Sequence, residues 1–284
     1  MINEKKRVAG ISVFAALFLT GFKLVIGIIT GSLGILSEAL HSGLDLVAAV
    51  ITYFSVKMSD TPPDKKHHYG HGKVENFSAF LETILLLITC AWIIYEALHR
   101  LITGNTDIEI NVWSYIVVVT SIVVDISRSR ALYRVAKKYN SQALEADALH
   151  FSTDIWSSAV VLVGLICANF GFFFADSVAA LVVALIVIVI SYRLGKRSMN
   201  ELLDHAPKDN VAKIEALINT VSEVNSYKNL CVRTAGADTF VKVTILLDSR
   251  LTLGEVHEIC NKLERVICKE IDRCDITVHT EPFD

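Results

Sequence analysis

The chain has 284 residues, of which 52% are hydrophobic and 20% are charged, and its formal net charge is -3. Its mean hydropathy of +0.48 is too high for an ordinary soluble domain and excludes a disordered chain. Residues 1–198 carry a net charge of +2 and most of the apolar residues, whereas residues 199–284 carry a net charge of -5. This division predicts a membrane domain over 1–198 and a charged domain over 199–284, and the acidic balance excludes nucleic-acid binding.

Six apolar runs are long enough to cross a bilayer, which requires about 20 predominantly apolar residues. They cover residues 8–29, 33–56, 78–101, 112–134, 143–170 and 175–195. The first run follows the basic segment MINEKKR but is longer than the apolar part of a signal peptide, so we expect it to remain as a membrane helix. The sequence therefore predicts an α-helical membrane domain with six transmembrane helices.

Lys and Arg residues alternate between the predicted connections. They are frequent in the N-terminal segment, in the second connection and in the fourth connection, to which we assign Arg128, Arg130, Arg134, Lys137 and Lys138. The first and fifth connections have none, and the third has only Arg100. Because cytoplasmic loops are enriched in these residues, both termini are predicted to face the cytoplasm. In a bacterium, the protein would be a multi-pass protein of the inner cell membrane.

Residues 199–284 have the pattern of a small α+β domain. Helical spacing of apolar residues predicts helices over 209–222 and 252–271, and apolar or alternating runs predict strands over 228–234, 239–247 and 275–280. The order αββαβ predicts two helices on one face of a three-stranded sheet. A unit of this kind is better suited to binding or dimerisation than to catalysis. The six cysteines contain no CxxC pair, and those of this domain are expected to be reduced.

The strongest functional signal is a motif that occurs in two predicted spans. The second span reads EALHSGLD from Glu38 to Asp45, and the fifth reads DALHFSTD from Asp147 to Asp154. Both fit the pattern acidic-Ala-Leu-His-x-x-x-Asp. Because the two spans run in opposite directions, they have the relationship expected of an inverted repeat around a site near the middle of the membrane.

Within each motif the His and the Asp are four residues apart and share one helix face. Two such faces opposed offer two imidazoles and two carboxylates, which suit a tetrahedral divalent ion and zinc in particular. Each His could instead be a packed polar residue, but two matching copies favour metal binding. The predicted ligands are His41, Asp45, His150 and Asp154. Glu38 and Asp147 are interpreted as helix-end or access-path carboxylates.

The second connection contains a further candidate metal site. Residues 62–75 read PPDKKHHYGHGKVE, in which Asp64, His67 and His71 are spaced so that they can fold onto one ion. Gly70 and Gly72 give the backbone freedom around the last of these. By spacing alone, a loop with three histidines is more often solvated than metal-bound. His68 is left without a role.

These residues resemble the cation diffusion facilitator family, whose members are six-span, proton-coupled exporters of divalent metals with a cytoplasmic ferredoxin-like domain. The resemblance covers nearly the whole chain, and the segment YGHGK at 69–73 matches the family signature in this loop. It implies a transport site at the four paired residues and a loop metal site at Asp64, His67 and His71. The His-Asp composition resembles zinc-type members, whereas manganese-type members use mostly carboxylates.

The resemblance also implies a regulatory metal site and an interlock in the second domain. The matching positions are His257, His279 and Glu281 for the metal, and Lys73 with Asp204 for a charge pair that holds the dimer together. Lys228 and Thr244 stand where some members supply further histidines, which argues against a full binuclear cluster. Cys260, Cys268 and Cys274 are alternative thiolate ligands or buried inert cysteines. From the residues alone, the simpler interpretation is that Lys73 and Asp204 are each solvated and do not form this pair.

The sequence thus predicts a homodimeric secondary transporter in the lipid bilayer, not an enzyme. It exports Zn²⁺, or alternatively Fe²⁺, Co²⁺ or Cd²⁺, in exchange for protons, because metal binding needs neutral imidazoles and ionised carboxylates. Cytosolic metal in the second domain is expected to favour the transport-ready dimer. Two alternatives remain. One is a membrane-embedded zinc metalloenzyme, although the chain has no HExxH motif. The other is a membrane-anchored metal sensor, which would leave the paired motif of the membrane helices without a function.

Overall fold

Six long helices form the first part of this computed structural model, which describes residues 2–31, 33–103, 112–169 and 175–283. The helices are α1 (Ile2–Thr30), α2 (Leu33–Ser59), α3 (Lys73–Thr103), α4 (Val112–Tyr139), α5 (Gln142–Asn169) and α6 (Ala175–Leu202). Each predicted span falls within one of them, except that residue 170 lies outside the described residues. Within the described part, the segments long and apolar enough to cross a membrane are Glu4–Thr30, Glu38–Ser59 and Lys73–His99. Six spans therefore remain a prediction, although all six helices are present.

Large apolar side chains cover the outside of the helical bundle, and polar side chains are buried inside it together with apolar ones. Phe14, Leu40 and Trp92 are strongly exposed on the outer surface of the bundle, whereas Thr52 and Glu82 are fully buried. Helix α1 packs along α2, α3 along α6, and α4 along α5. Small buried residues allow close approach of these helices; they include Ala9, Ala16, Ala49, Ala136, Ala143 and Ala148.

One end of the bundle faces the second domain, and we call it the tail-side end. Helices α1, α3 and α5 begin there, and α2, α4 and α6 end there. Contacts between these ends define it: Lys138 Nζ near the end of α4 lies 2.6 Å from Glu4 Oε2 at the start of α1. Lys73 Nζ at the start of α3 donates to the backbone oxygen of Leu202 at 3.2 Å.

The second domain confirms the predicted αββαβ order. Its elements are α7 (Lys208–Ile218), β1 (Ser226–Ala235), β2 (Asp238–Asp248), α8 (Leu253–Glu270) and β3 (Cys274–Phe283). The sheet order is β1-β2-β3, with β1 and β2 antiparallel and β2 and β3 parallel. A capping box between Thr252 and Glu255 begins α8. The two helices cover one face of the sheet through a shared core that includes Ile214, Ile218, Val243, Leu263 and Ile267.

The cysteines whose side chains the structure describes are all free. They are Cys90, Cys231, Cys260, Cys268 and Cys274. Burial raises the pKa of the Cys260 thiol. Burial and the neighbouring Cys268 raise that of Cys274 to about 12. Both thiols are therefore protonated near neutral pH in the absence of a metal.

Candidate metal centre

The structure brings the four residues of the paired motif together between α2 and α5. His150 Nε2 lies 2.9 Å from Asp45 Oδ1 and 3.8 Å from Asp154 Oδ2. His41 Nε2 lies 3.7 Å from Asp154 Oδ1 and 3.9 Å from Asp45 Oδ1. One ligand atom each from His41, Asp45 and Asp154 fall within 4.8 Å of one another. His150 is outside this group of three, although its Nε2 lies within 3.8 Å of an oxygen of each carboxylate. The groups offered are two imidazoles and two carboxylates, a donor set that suits one small divalent ion.

The site is open on one side and closed on the other. The side chain of His41 is 37% exposed, whereas that of His150 is 5% exposed. A cavity of about 30 Å³ adjoins the site, enough space for one or two water molecules or a small ion. Its lining includes Leu19, Lys23 and Glu38, and also Ser157 and Ser158. These residues belong to the parts of α1, α2 and α5 that are remote from the tail-side end, so the site opens away from the second domain.

Glu38 and Asp147, which the sequence assigned to helix ends or an access path, have different surroundings. Glu38 lies at the cavity and accepts a hydrogen bond from Lys23 Nζ at 3.1 Å. Asp147 is fully buried, and its Oδ2 accepts from Ser12 Oγ at 3.3 Å while its Oδ1 has no partner. The first is placed as an access-path residue would be. The second is part of the protein interior.

Arg128 was assigned to the fourth, cytoplasmic connection, and that placement is wrong. It lies inside α4, which continues to Tyr139, and is buried. Its guanidinium donates to Asp125 Oδ1 at 3.2 Å and to Ser12 Oγ at 3.1 Å, and it lies 3.4 Å above the ring of Phe151. These partners compensate the burial of its charge, which no count of loop charges can anticipate.

Sequence reasoning also passed over three buried ionisable residues near the metal centre. Lys23 and Asp125 line the cavity. Glu82 is fully buried and accepts hydrogen bonds from Thr52 and Ser78 through Oε1, while Oε2 has no partner. The signal that could have revealed them is simple, because each is an ionisable residue within an apolar run.

Asp64, His67 and His71 of the α2–α3 loop also meet. Oδ1 of Asp64 lies 3.3 Å from Nδ1 of His67, and Oδ2 lies 3.5 Å from Nε2 of His71. Backbone N–H groups of His67 and Lys66 donate to Asp64 Oδ1 and hold the pKa of this carboxyl below its usual value. Nδ1 of His71 faces the carbonyl oxygen of Thr61 at 3.3 Å. This contact leaves Nε2 directed at the cluster, as a metal ligand would need.

The same loop is packed against the hairpin between β1 and β2. A Cβ atom at Gly72 would lie 2.2 Å from the backbone oxygen of Ala235, so only glycine allows this approach. Asn76 Oδ1 accepts a hydrogen bond from the backbone N–H of Gly236 at 3.0 Å. The ring of Tyr69 meets that of Phe240 edge-on, with centroids 5.4 Å apart.

Lys73 and Asp204, the predicted interlock, are in contact within one chain. Lys73 Nζ lies 2.9 Å from Asp204 Oδ1, and Arg233 Nη1 reaches the same oxygen at 3.3 Å. Partial burial favours the neutral acid, but the hydrogen bonds from these two cations outweigh it, and the pKa of Asp204 lies below its usual value. Asp204 therefore joins the start of α3 to strand β1.

The predicted ligands of the second domain are only partly brought together. His279 and Glu281 share one face of β3, with Nε2 and Oε1 3.8 Å apart. Lys228 Nζ also lies 2.5 Å from Glu281 Oε2, which holds the pKa of that carboxyl below its usual value. His257 is exposed on α8. Among the described residues, these three do not form a cluster with all ligand atoms within 4.8 Å.

Two family models match the chain. Residues 10–203 match the cation efflux transmembrane domain, and residues 206–283 match the cytoplasmic domain of cation efflux proteins. The chain belongs to the cation efflux family, the cation diffusion facilitators. Members of the cation efflux family are integral membrane metal exporters and not enzymes, and the second matched domain is a dimerisation domain.

Several relatives resemble this cation efflux protein along almost their whole length. An uncharacterized transporter of Synechocystis sp. is 30% identical over 280 residues, which cover 97% of this chain and 90% of that protein. An uncharacterized transporter of Methanocaldococcus jannaschii is 32% identical over 259 residues, which cover 91% of each. The cation-efflux pump FieF of Shewanella oneidensis is 27% identical over 272 residues, with 95% and 92% covered.

Proposed function

We propose that this protein exports Zn²⁺ from the cytosol in exchange for protons, with His41, Asp45, His150 and Asp154 as the transport site. The observation that carries the proposal is the meeting of two His-Asp pairs, one from α2 and one from α5, with His150 Nε2 2.9 Å from Asp45 Oδ1. Two imidazoles and two carboxylates fit zinc better than calcium or magnesium, which prefer oxygen ligands only. Copper(I) would prefer thiolates.

Proton exchange follows from the chemistry of these ligands. A metal ion needs neutral imidazoles, so protons and metal compete for the same nitrogen atoms. Each imidazole lies near a carboxylate that can stabilise its protonated form: His150 Nε2 is within hydrogen-bonding distance of Asp45, and His41 Nε2 lies 3.7 Å from Asp154 Oδ1. The same groups can therefore hold either an ion or protons, and alternation between the two couples their movements in opposite directions.

The loop cluster and the second domain have supporting roles in this proposal. Zinc bound by Asp64, His67 and His71 would hold the α2–α3 loop in one conformation beside the β1–β2 hairpin. A regulatory ion would bind on the cytoplasmic side to His257, His279 and Glu281. Lys228 competes for Glu281 and must move away before that carboxylate binds a metal. Two protomers would associate through the second domain, and both termini would face the cytoplasm.

A flux measurement on the full-length protein in liposomes tests the function. A zinc-sensitive dye and a pH-sensitive dye are enclosed, and zinc is added outside. We expect zinc entry together with proton exit, and no flux in liposomes without protein. Zinc binding by the purified protein without zinc flux would favour the membrane-anchored sensor. Zinc flux without opposite proton flux would contradict the antiport mechanism but not metal export.

A further inference from the structure

A buried ionic cluster lies at the tail-side end of the helical bundle, away from the metal centre. Lys5 Nζ lies 2.7 Å from Glu75 Oε1 and 3.0 Å from Asp60 Oδ1. Ser59 Oγ donates to Glu75 Oε1 at 2.7 Å, and Ser141 Oγ donates to Glu75 Oε2. We call these five residues the gate cluster.

The gate cluster joins four helices at one point. Lys5 belongs to α1, Ser59 ends α2, Glu75 lies in the first turn of α3, and Ser141 immediately precedes α5. Because α2 and α5 carry all four proposed ligands, the cluster fixes the tail-side ends of both ligand-bearing helices. Any opening between these helices on the tail side must break its contacts.

The burial of the gate cluster indicates a role other than simple stabilisation. The side chains of Lys5, Asp60 and Glu75 are 6%, 7% and 3% exposed. Removing such charges from water costs nearly as much as their attraction returns, and apolar residues of similar size would stabilise the bundle at least as well. A buried ion pair is well suited to a contact that forms and breaks, since its members are rehydrated when they separate.

The metal centre shows the matching asymmetry. It opens away from the second domain through the cavity beside His41, whereas His150 on its tail side is buried. On α5, between Ser141 of the gate cluster and His150, the side chain of Leu144 is fully buried, and Glu82 on α3 is fully buried as well. The structure therefore has an access path on one side of the centre and a closed bundle on the other.

We infer that Lys5, Asp60 and Glu75 form an ionic gate that closes the tail-side path to the metal centre and stabilises the state open to the opposite side. The inference rests on the proposed transport function. In an alternating-access cycle, the gate cluster opens when metal enters from the tail side and closes when the site faces the other side. Lys5 supplies the cation that makes the closed arrangement possible.

Accessibility of the path is the first test. All six native cysteines are replaced, and Ser78→Cys is introduced on α3, one turn beyond Glu75 toward the metal centre. A membrane-impermeant thiol reagent is added on the tail side without metal. We expect slow labelling in this background and labelling at least about 5-fold faster after Lys5→Met or Glu75→Gln, because loss of the ion pair shifts the population toward the tail-side-open state.

Transport on the tail side is the second measurement. In Lys5→Met, the zinc concentration for half-maximal flux from that side should fall by about 5-fold, because a larger fraction of the protein is ready to bind. The double variant Lys5→Glu with Glu75→Lys should move both values back toward those of the wild type, since it restores an ammonium–carboxylate pair between α1 and α3, but only in part, because the new carboxylate on α1 lies beside Asp60. Lys138→Met is the matched control, because Lys138 and Glu4 form an exposed ion pair at the same end.

The results separate the gate from the transport function. Unchanged labelling and unchanged half-saturation in folded Lys5→Met and Glu75→Gln would overturn the gate. If Lys5→Met does not fold, Ser141→Ala is the decisive variant, because it removes one hydrogen bond to Glu75. Its labelling rate should lie between those of the background and Glu75→Gln. A labelling rate equal to that of the background would also overturn the gate. Zinc flux absent from the wild type would contradict the transport function instead, since labelling does not depend on flux.

Discussion

His150 Nε2 and Asp45 Oδ1 are 2.9 Å apart although 105 positions separate the two residues in the chain. This distance is shorter than the 3.8 Å between His150 and Asp154 on the same helix and the 3.9 Å between His41 and Asp45. The centre is therefore built across two helices as much as along each of them. A movement of α2 relative to α5 changes the distance between ligands, which links binding to helix position.

The two carboxylates of the centre should be individually essential. We expect Asp45→Ala and Asp154→Ala each to reduce zinc flux by at least about 100-fold, because each leaves two imidazoles and a single carboxylate for the ion. Flux of zinc into liposomes measures the effect. Asp209→Ala, on the exposed surface of α7, is the control and should retain wild-type flux. Wild-type flux in either transport-site variant would show that the four-residue assignment is wrong.

Replacement of one imidazole should change the preferred metal. His41 is the more exposed of the two histidines, so His41→Asp should be tolerated without loss of folding. A third carboxylate makes the ligand set harder, and the flux of manganese relative to that of zinc should rise by about 10-fold. A competition assay with these ions measures the ratio. Relative rates equal to those of the wild type would contradict the role of His41 as a ligand.

The loop cluster should hold its own ion. Asp64→Ala is expected to lower the zinc bound per protomer by about one, as measured by elemental analysis of the purified protein, because a carboxylate common to both imidazoles is lost. His68→Ala is the matched control, since this neighbouring histidine is outside the cluster. Equal zinc content in both variants would argue that the loop is solvated rather than metal-bound.

The pH dependence of zinc binding in the loop has a defined sign. Since the pKa of Asp64 lies below its usual value, its charge is present above the ordinary carboxyl pKa of about 3.9 and is lost only on further acidification. Loss of loop zinc between about pH 7 and pH 5 must then arise from imidazole protonation. Asp64→Asn should bind more weakly, so at a fixed zinc concentration the midpoint of zinc loss should move to higher pH while the steepness of the loss stays the same. A less steep loss would show that the Asp64 carboxyl also titrates in this range and would contradict this explanation.

Substitution of Gly72, where the α2–α3 loop contacts the β1–β2 hairpin, should destabilise the protein. Gly72→Ala places a Cβ 2.2 Å from the Ala235 oxygen and 2.8 Å from its carbonyl carbon, and backbone atoms cannot move aside as a side chain can. We expect a loss of about 1–3 kcal/mol of stability, the usual cost of overpacking. Thermal unfolding in detergent measures it. Gly21→Ala, which has open space around the new methyl group, should be nearly neutral.

The Lys73–Asp204 pair should contribute little to stability by itself. Both side chains are partly exposed, so Lys73→Ala should cost no more than about 1 kcal/mol. Asp204→Ala should cost more, because it also releases Arg233. Since the pKa of Asp204 is depressed, the contribution is present above about pH 4 and declines on acidification. Light scattering of both variants tests the dimer role: dimers that persist in both would contradict the interlock.

Much of the candidate site could be predicted from the sequence because its spacing is local. The four-residue interval between His41 and Asp45 places them on one face of any helix, and the second copy at His150 and Asp154 suggests the pairing. Asp64, His67 and His71 lie so close in the chain that the loop needs only short turns to gather them. The second domain likewise followed from hydrophobic periodicity, and its strand and helix order was confirmed.

Other features depended on how the helices are rotated and positioned relative to one another. Arg128 points into the bundle, and Lys5 meets Glu75 across 70 positions of sequence. The sequence determined the helices, the paired motif and the order of the second domain, because each depends on residues a few positions apart. Only the tertiary structure decided which charges are buried together and which side of the metal centre is open, because packing over many weak contacts sets helix position.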